Sequence, residues 1–538
     1  MKKIIYTMVM MLCMSAFASQ AQSWYSSLPV IQVAPDPDGI PPTAGNGTLR
    51  DAYALQQTNA GNGSAIYELQ PGGIYYVNKS FAAGDDNVVI RAAAGAGPRP
   101  VIVPCGNFSG NDVFTCTGNL RLENLYIYAT EYGTGGVVRR AALRVSDGSG
   151  YSFEFIHCYF DGSVSAGILR WNDGVNALLN RLIFITVDGC VFRNSIAYTG
   201  GIANGRGFDF RNTPGMTIKI SNSTFYSLSD KCLRFSKVPN STDTLIFKNN
   251  TIYCNISSID LDAASYARVE NNIFYNMQLN GATNTPVKTG IVSILTNNFD
   301  DTRDIAITNN LFYTEPVYES MTAVDTAIVR YPIPCANIVS SSSSSTDVAP
   351  ALLDAGALTV ADNDTITPIA FKNPPASYLS WYQFLWNASM PTGDIDASQR
   401  TLDRYEVAPP PFAGDNLGTV APYDFSYPNT SPAATEGVGG TYLGAWAPYD
   451  ATGVKSVAAD AMKCYFDAVG KNLNITLSSS APILKVSVYS TNGALVANHL
   501  VATNGLYATC NLNGLTGGVY VYSIEIPDGQ GFRGKFVY

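Results

Sequence analysis

Histidine is nearly absent: two residues in 538, His157 and His499. That rules out a histidine-rich metal centre and argues against a Ser-His-Asp hydrolase. Charge is also sparse, at 14%, and acids outnumber bases to give a net charge of −9, which argues against nucleic acid as a partner. Beyond the first two dozen residues no apolar run reaches the 18 or so residues of a membrane span. Cysteine is limited to ten, one of them (Cys13) in the N-terminal apolar run, so the nine left form an odd number and exclude a complete disulfide framework.

What is present begins with that N-terminal run. Lys2 and Lys3, an apolar stretch over residues 4–17 and small residues at Ser19 and Ala21 read as a secretory signal peptide cleaved near Gln22. No small residue directly precedes Cys13, which speaks against a lipid anchor. Cys105 with Cys116 and Cys464 with Cys510 are the expected disulfides. Cys158 and Cys190 would be close enough to bond, but parallel side-chain vectors make the torsion poor. The chain is read as a monomer with no transmembrane segment after processing.

The middle of the sequence is a repeat. LRLENLYI, FEFIHCYF, ITVDGCVF, IKISNSTF, LIFKNNTI, ARVENNIF and IAITNNLF share an apolar alternation, a polar corner and a final anchor: Ile127, Phe160, Phe192, Phe225, Ile252, Phe274 and Phe312. The anchors step by 33, 32, 33, 27, 22 and 38 residues. Alternation of period two means strands, and short strands repeating at this interval mean a solenoid. From the second copy onward another strand precedes each: AALRV, ILRW, GFDF, CLRF, SIDL and GIVSI. Two or three short strands per turn, with turns of uneven length, describe a parallel β-helix. Val269, Phe274, Ile307 and Phe312 should then be buried and stacked. Asn249-Asn250, Asn271-Asn272 and Asn309-Asn310 should sit at a bend, where asparagine accepts the left-handed conformation and its amide can bond the next coil. His157, Cys158 and Cys190 fall in the same column and are read as structural.

Residues 48–57, TLRDAYALQQ, put Leu49, Ala52 and Tyr53 on one helical face, with Thr48 and Asp51 spaced as a capping pair. The order TLRDAY, QPGGIYYV, NVVI resembles the start of pectin-lyase-like right-handed parallel β-helix proteins. The resemblance spans residues 43–446, within a β-helix domain taken as 22–446, and implies the company of polysaccharide lyases and glycoside hydrolases. Its end, SPAATEGVGGTYLGAW at 431–446, resembles a last coil. After Phe312 the rhythm breaks, and residues 340–345 (serine) and 408–429 (proline and tyrosine) read as loops or covers.

Residues 447–461 read as a linker and 462–538 as a small antiparallel β-sandwich, with strands in NLNITL, LKVSVYSTNGALV, GLYATCNL, GGVYVYSIEI and GFRGKFVY and a hairpin at Asn492-Gly493. LNGLTGGVYVYSIE and the closing GKFVY resemble the C-terminal sorting domain of the type IX secretion system of Bacteroidetes. The resemblance implies the secretion machinery as a partner, and a secreted or surface-attached product. Asp243-Thr244-Leu245 and Asp364-Thr365-Ile366 resemble the O-glycosylation sites of that phylum.

Chemistry, if any, belongs to the outward residues of the second strand. Stacking should gather Arg144, Arg170, Asp209, Arg211, Arg234, Asp260 and Asp262 into one patch, with Arg234 and Asp260 exposed. The bland reading is an interstrand ion-pair ladder, each pair contributing about 0–1 kcal/mol. The chemical reading is an acidic polysaccharide lyase. In it Arg144, Arg170 and Arg211 bind uronate, Asp209, Asp260 and Asp262 hold Ca²⁺, and Arg234 or Lys231 removes the C5 proton. A noncatalytic glycan-binding surface protein would use the same face. Hydrolysis is disfavoured, because the paired aspartates and Gly-His-Gly of polygalacturonases are absent.

Overall fold

The computed structural model describes residues 24–37, 47–129, 141–145, 152–163, 167–171, 183–195, 205–211, 216–228, 230–236, 243–254, 259–261, 264–277, 292–294, 303–316, 338–341, 356–375, 423–449, 462–467, 470–477, 483–490, 494–504, 507–525 and 531–538. They fall into two compact units divided between Tyr449 and Asp450.

The first unit is a parallel β-helix with three faces. Eleven parallel strands form the first face, from Val30–Val33 through Ser152–Ile156 and Asp243–Lys248 to Leu358–Ala361. The second carries the anchors, in Tyr126–Tyr128, Tyr159–Ser163, Val191–Ser195, Thr224–Leu228, Thr251–Tyr253, Ile273–Tyr275 and Leu311–Tyr313. The third is Ala141–Val145, Gly167–Trp171, Arg206–Arg211, Leu233–Ser236, Ile259–Asp260, Val292–Ile294 and Val339–Ser341. The long strand Val101–Cys116 runs through both the second and third faces and joins them.

Alternation turns one side of every strand inward, and the parallel register stacks like on like. Phe160, Phe192 and Phe225 lie face to face, with centroids 5.1 and 4.9 Å apart and planes within 7°. Phe274 and Phe312 stack at 4.7 Å. Ile252 interrupts the column, and Phe247 from the first face approaches both Phe225 and Phe274 there. Val269, Phe274, Ile307 and Phe312 are all fully buried. Each such aliphatic or aromatic side chain stabilises the fold by about 1.5–3 kcal/mol.

The corner between the first and second faces is the same two residues in coil after coil. The first takes the left-handed conformation: Asn124, His157, Gly189, Asn222, Asn249, Asn271, Asn309 and Asp362 all have φ between 51° and 62°. Glycine is needed at 189 for a second reason, since a Cβ there would collide with the His157 ring. The second residue turns inward and hydrogen-bonds to the next coil. Cys158 N–H donates to Cys190 Sγ (3.4 Å), Cys190 N–H to Ser223 Oγ (3.2 Å) and Ser223 N–H to Asn250 Oδ1 (3.0 Å). Asn250, Asn272 and Asn310 continue the chain to Asn363 Oδ1 at 2.8–2.9 Å.

The helix Thr48–Ala60 packs Leu49 and Tyr53 onto the N-terminal end of the core. Thr48 and Asp51 do not form the expected capping pair. Gly47 precedes the helix with φ 85°, and the buried Asp36 supplies the cap: its Oδ1 accepts from Thr48 N–H (3.0 Å) and its Oδ2 from Tyr76 N–H (2.7 Å).

Residues 431–446 are not a last coil. They form no strand, and two short 3₁₀ turns, Pro432–Ala434 and Val438–Gly440, carry the chain back along the outside of the second face. Val438 N–H donates to Asn271 Oδ1 (3.0 Å), Ala445 N–H to Thr251 Oγ1 (3.0 Å) and Trp446 Nε1 to Thr224 Oγ1 (2.8 Å), each contact one coil nearer the N-terminus. This strap, with Phe371, Phe425 and Tyr427, covers the outward tyrosines Tyr226, Tyr253 and Tyr275. Tyr449, expected in the linker, exchanges backbone hydrogen bonds with Tyr427 and Asn429.

The second unit is a two-sheet antiparallel sandwich. Met462–Asp467, Asn472–Leu477 and Tyr507–Asn511 form one sheet; Leu495–Ala502, Ile483–Ser490, Val519–Glu525 and Gly531–Val537 form the other. Met462–Asp467 is a strand the sequence reading missed, and Asn492-Gly493 lies outside the described residues.

None of the eight described cysteines forms a disulfide. Cys105 and Cys116 sit in separate apolar clusters, one against Tyr76 and Val103 and one in the main core. Cys464 pairs in register with Ile475 and Cys510 with Leu473, so the two are on the outer strands of a three-stranded sheet, about 9.5 Å apart before any diagonal offset. Cys13 and Cys335 lie outside the described residues.

Candidate functional site

The outward row of the third face follows from register alone. Arg144 pairs with Arg170, Arg170 with Asp209, Asp209 with Arg234, and Arg234 with Asp260. Five residues from five coils therefore line up along the solenoid axis.

Their depths differ, which the sequence did not reveal. Asp260 was expected to be exposed, yet its side chain keeps 4% of its accessible surface; Asp209 keeps none and Asp112 3%. The cations above them are open: Arg144 33%, Arg234 30%, Lys231 22%. A carboxylate taken out of water needs a counterion, and long basic side chains can supply one while keeping part of their surface wet. Lys231 Nζ lies 3.2 Å from Asp260 Oδ2, Arg234 Nη1 3.6 Å from Asp209 Oδ1, and Arg144 Nη1 3.9 Å from Asp112 Oδ2.

Besides Asp112, two members were missed. Arg206, nearly buried, holds Asp230 through Nε at 2.6 Å and Asp209 through Nη1 at 3.4 Å. Burial pushes the Asp230 carboxyl above its ordinary range, and Arg206, Lys231 and Arg234 oppose that rise. Both residues stand at strand entries, before the alternation that identified the row begins. Opposite charges ahead of neighbouring strands were their only signal.

Asp209 and Asp260, expected to hold Ca²⁺, are each paired with cations: Asp209 with Arg206 and Arg234, and Asp260 with Lys231. Asp262 and the side chain of Arg211 lie outside the described residues. Among the described residues no group of three or more His, Cys, Asp or Glu is arranged to hold a metal ion. Of the two resemblances to O-glycosylation sites, Thr244 is half-buried in a central strand of the first face, whereas Thr365 sits in a turn whose Asp364 Oδ1 accepts from Ile366 N–H at 2.8 Å.

The C-terminal sandwich is built separately, around Leu473, Ile475, Val486, Val488, Ile524 and Phe536. Residues 469–537 match the secretion system C-terminal sorting domain family. The sorting domain marks a secreted Bacteroidetes protein, delivered by the type IX machinery and either released or held at the outer-membrane surface. No curated protein matches the chain. No helix among the described residues is long and apolar enough to cross a membrane.

Proposed function

We propose that this exported β-helix binds acidic polysaccharide on its third face, without cleaving it. The observation that carries the reading is the layering of charge, with buried carboxylates below and open guanidinium and ammonium groups above. Such a surface attracts anions although the chain as a whole is acidic, because local charge governs contact. Guanidinium groups suit the planar carboxylates of uronates, and the resemblance of the coils to pectin-lyase-like proteins agrees with a saccharide ligand. Arg144, Arg170 and Arg234 are the binding residues.

β-Elimination, the other reading of this face, needs a base. Arg234 and Lys231 are each paired with a buried carboxylate, Asp209 and Asp260, and a neutral side chain at either place would weaken the pairing of a charge already taken out of water. The test is retention of the full exported chain on an immobilised uronate polymer, with a parallel assay for unsaturated sugar ends. Salt-sensitive retention is expected, weakened roughly tenfold by Arg170→Ala or Arg234→Ala, with no unsaturated ends. Appearance of such ends would establish the lyase instead, and retention indifferent to both substitutions would remove the third face from binding.

A further inference from the structure

The order of charges along the third face deepens that reading by naming the kind of polymer. From Arg170 the row runs cation, anion, cation, anion: Arg170, Asp209, Arg234, Asp260, each in register with the next. Successive positions are one strand spacing apart, so Arg170 and Arg234 are separated by about 9.6 Å, with Asp209 midway. One pyranose of an extended chain is about as long as one such spacing. A polymer lying along the row therefore sets alternate sugars over the two arginines and the intervening sugar over Asp209.

We infer that the third face selects a polysaccharide in which an anionic sugar alternates with an uncharged one, over a homopolymer charged on every sugar. Arg170 and Arg234 each take one carboxylate. The sugar between them lies over Asp209, whose fully buried carboxylate is shared by Arg206 and Arg234, and has no cation of its own in the row. Arg144 extends the row by one cation but is drawn toward Asp112 on the neighbouring strand. The inference rests on the binding function proposed above.

The preference runs against simple electrostatics, since an unpatterned basic patch favours the polymer with the higher charge density. Two length-matched probes suffice: a homopolymer of uronate, and a polymer of uronate alternating with neutral N-acetylhexosamine. With the full exported chain, the alternating polymer should bind tighter by roughly tenfold, the equivalent of one charge-assisted contact not opposed by Asp209. In Asp209→Asn, confirmed folded by its circular dichroism, the homopolymer should gain and the ratio should approach one. Equal or tighter binding of the homopolymer by the unaltered chain overturns the selectivity while leaving polysaccharide binding in place. Binding of neither polymer removes both. An unchanged ratio in folded Asp209→Asn also overturns the inference, and the comparison on the unaltered chain stands if that variant does not fold.

Discussion

Asn272 does more than hold a corner. Its Oδ1 accepts from both the backbone N–H and the Nδ2 of Asn250, while its own Nδ2 donates to Phe247 O (2.9 Å) and Asn310 Oδ1 (2.9 Å). Removing that amide leaves several buried groups without partners at about 1–3 kcal/mol each. Asn272→Ala should therefore destabilise the first unit by about 3 kcal/mol or more in denaturant melts, near the upper end for single substitutions. Asn271→Gly should cost far less, because glycine accepts its left-handed φ of 58° and only the strap's hydrogen bonds are lost. The asparagine pairs were plain in the sequence as a recurring column. Which member takes the strain and which makes the ladder was not, because only the bend decides which side chain turns inward. The same limit hid Arg206 and Asp230.

Among elements, the strap shows most clearly where local pattern stops informing. Residues 431–446 have neither alternation nor helical period, since their contacts run across the coils to Asn271, Thr251 and Thr224. The helix cap misled for the opposite reason: Thr48 and Asp51 have the right spacing, but the cap is Asp36, twelve residues upstream. Asp36→Ala should cost about 1–2 kcal/mol, the range for losing a helix cap, in thermal melts. The strap should also respond to acid. Burial, and then the neighbouring Asp364, raise the Glu436 carboxyl above the ordinary glutamate range. The folded state then holds a proton that the unfolded chain has released, so stability from this group falls as pH rises from the ordinary value through the raised one. Protease resistance of the strap should be greater at the acid end of that window, and Glu436→Gln should flatten the trend and strengthen docking at neutral pH. A variant that keeps the full pH trend would assign the effect elsewhere.

For the molecule as a whole, the repeat carried the architecture into the sequence almost intact, with seven anchors and, from the second copy onward, the strand before each. One more coil follows Phe312, however: Val339–Ser341 pairs with Val292–Ile294 and Leu358–Ala361 with Asp304–Thr308, so Ser340 and Ser341, read as loop, lie in a strand. Parallel stacking makes long-range contacts between equivalent positions, so a periodic sequence encodes them directly. The depth of a charge does not have that periodicity, and the third face could be placed but not layered. Export is the property to test at this scale. Deleting residues 455–538 removes the second unit and leaves the first unit's described contacts whole, so the truncated chain should fold, melt as before, and stay in the periplasm. Surface delivery of the truncated chain would show that the sorting domain is dispensable.

The two-residue corner also bears on how such a chain changes over generations. Length varies elsewhere around the coil, while the eight coils from Asn124 to Asp362 pass this corner in the same conformation, so the corner is a joint at which whole coils can be duplicated or lost. Excising residues 158–189, for example, would join His157 to Cys190, left-handed residue to ladder residue, with the column unbroken. The third face would lose its Arg170 strand, and Arg144 would become the neighbour of Asp209. An ancestor could thus have rewritten the order of charges on its outer surface by a single in-frame genetic event, with no amino-acid substitution at all.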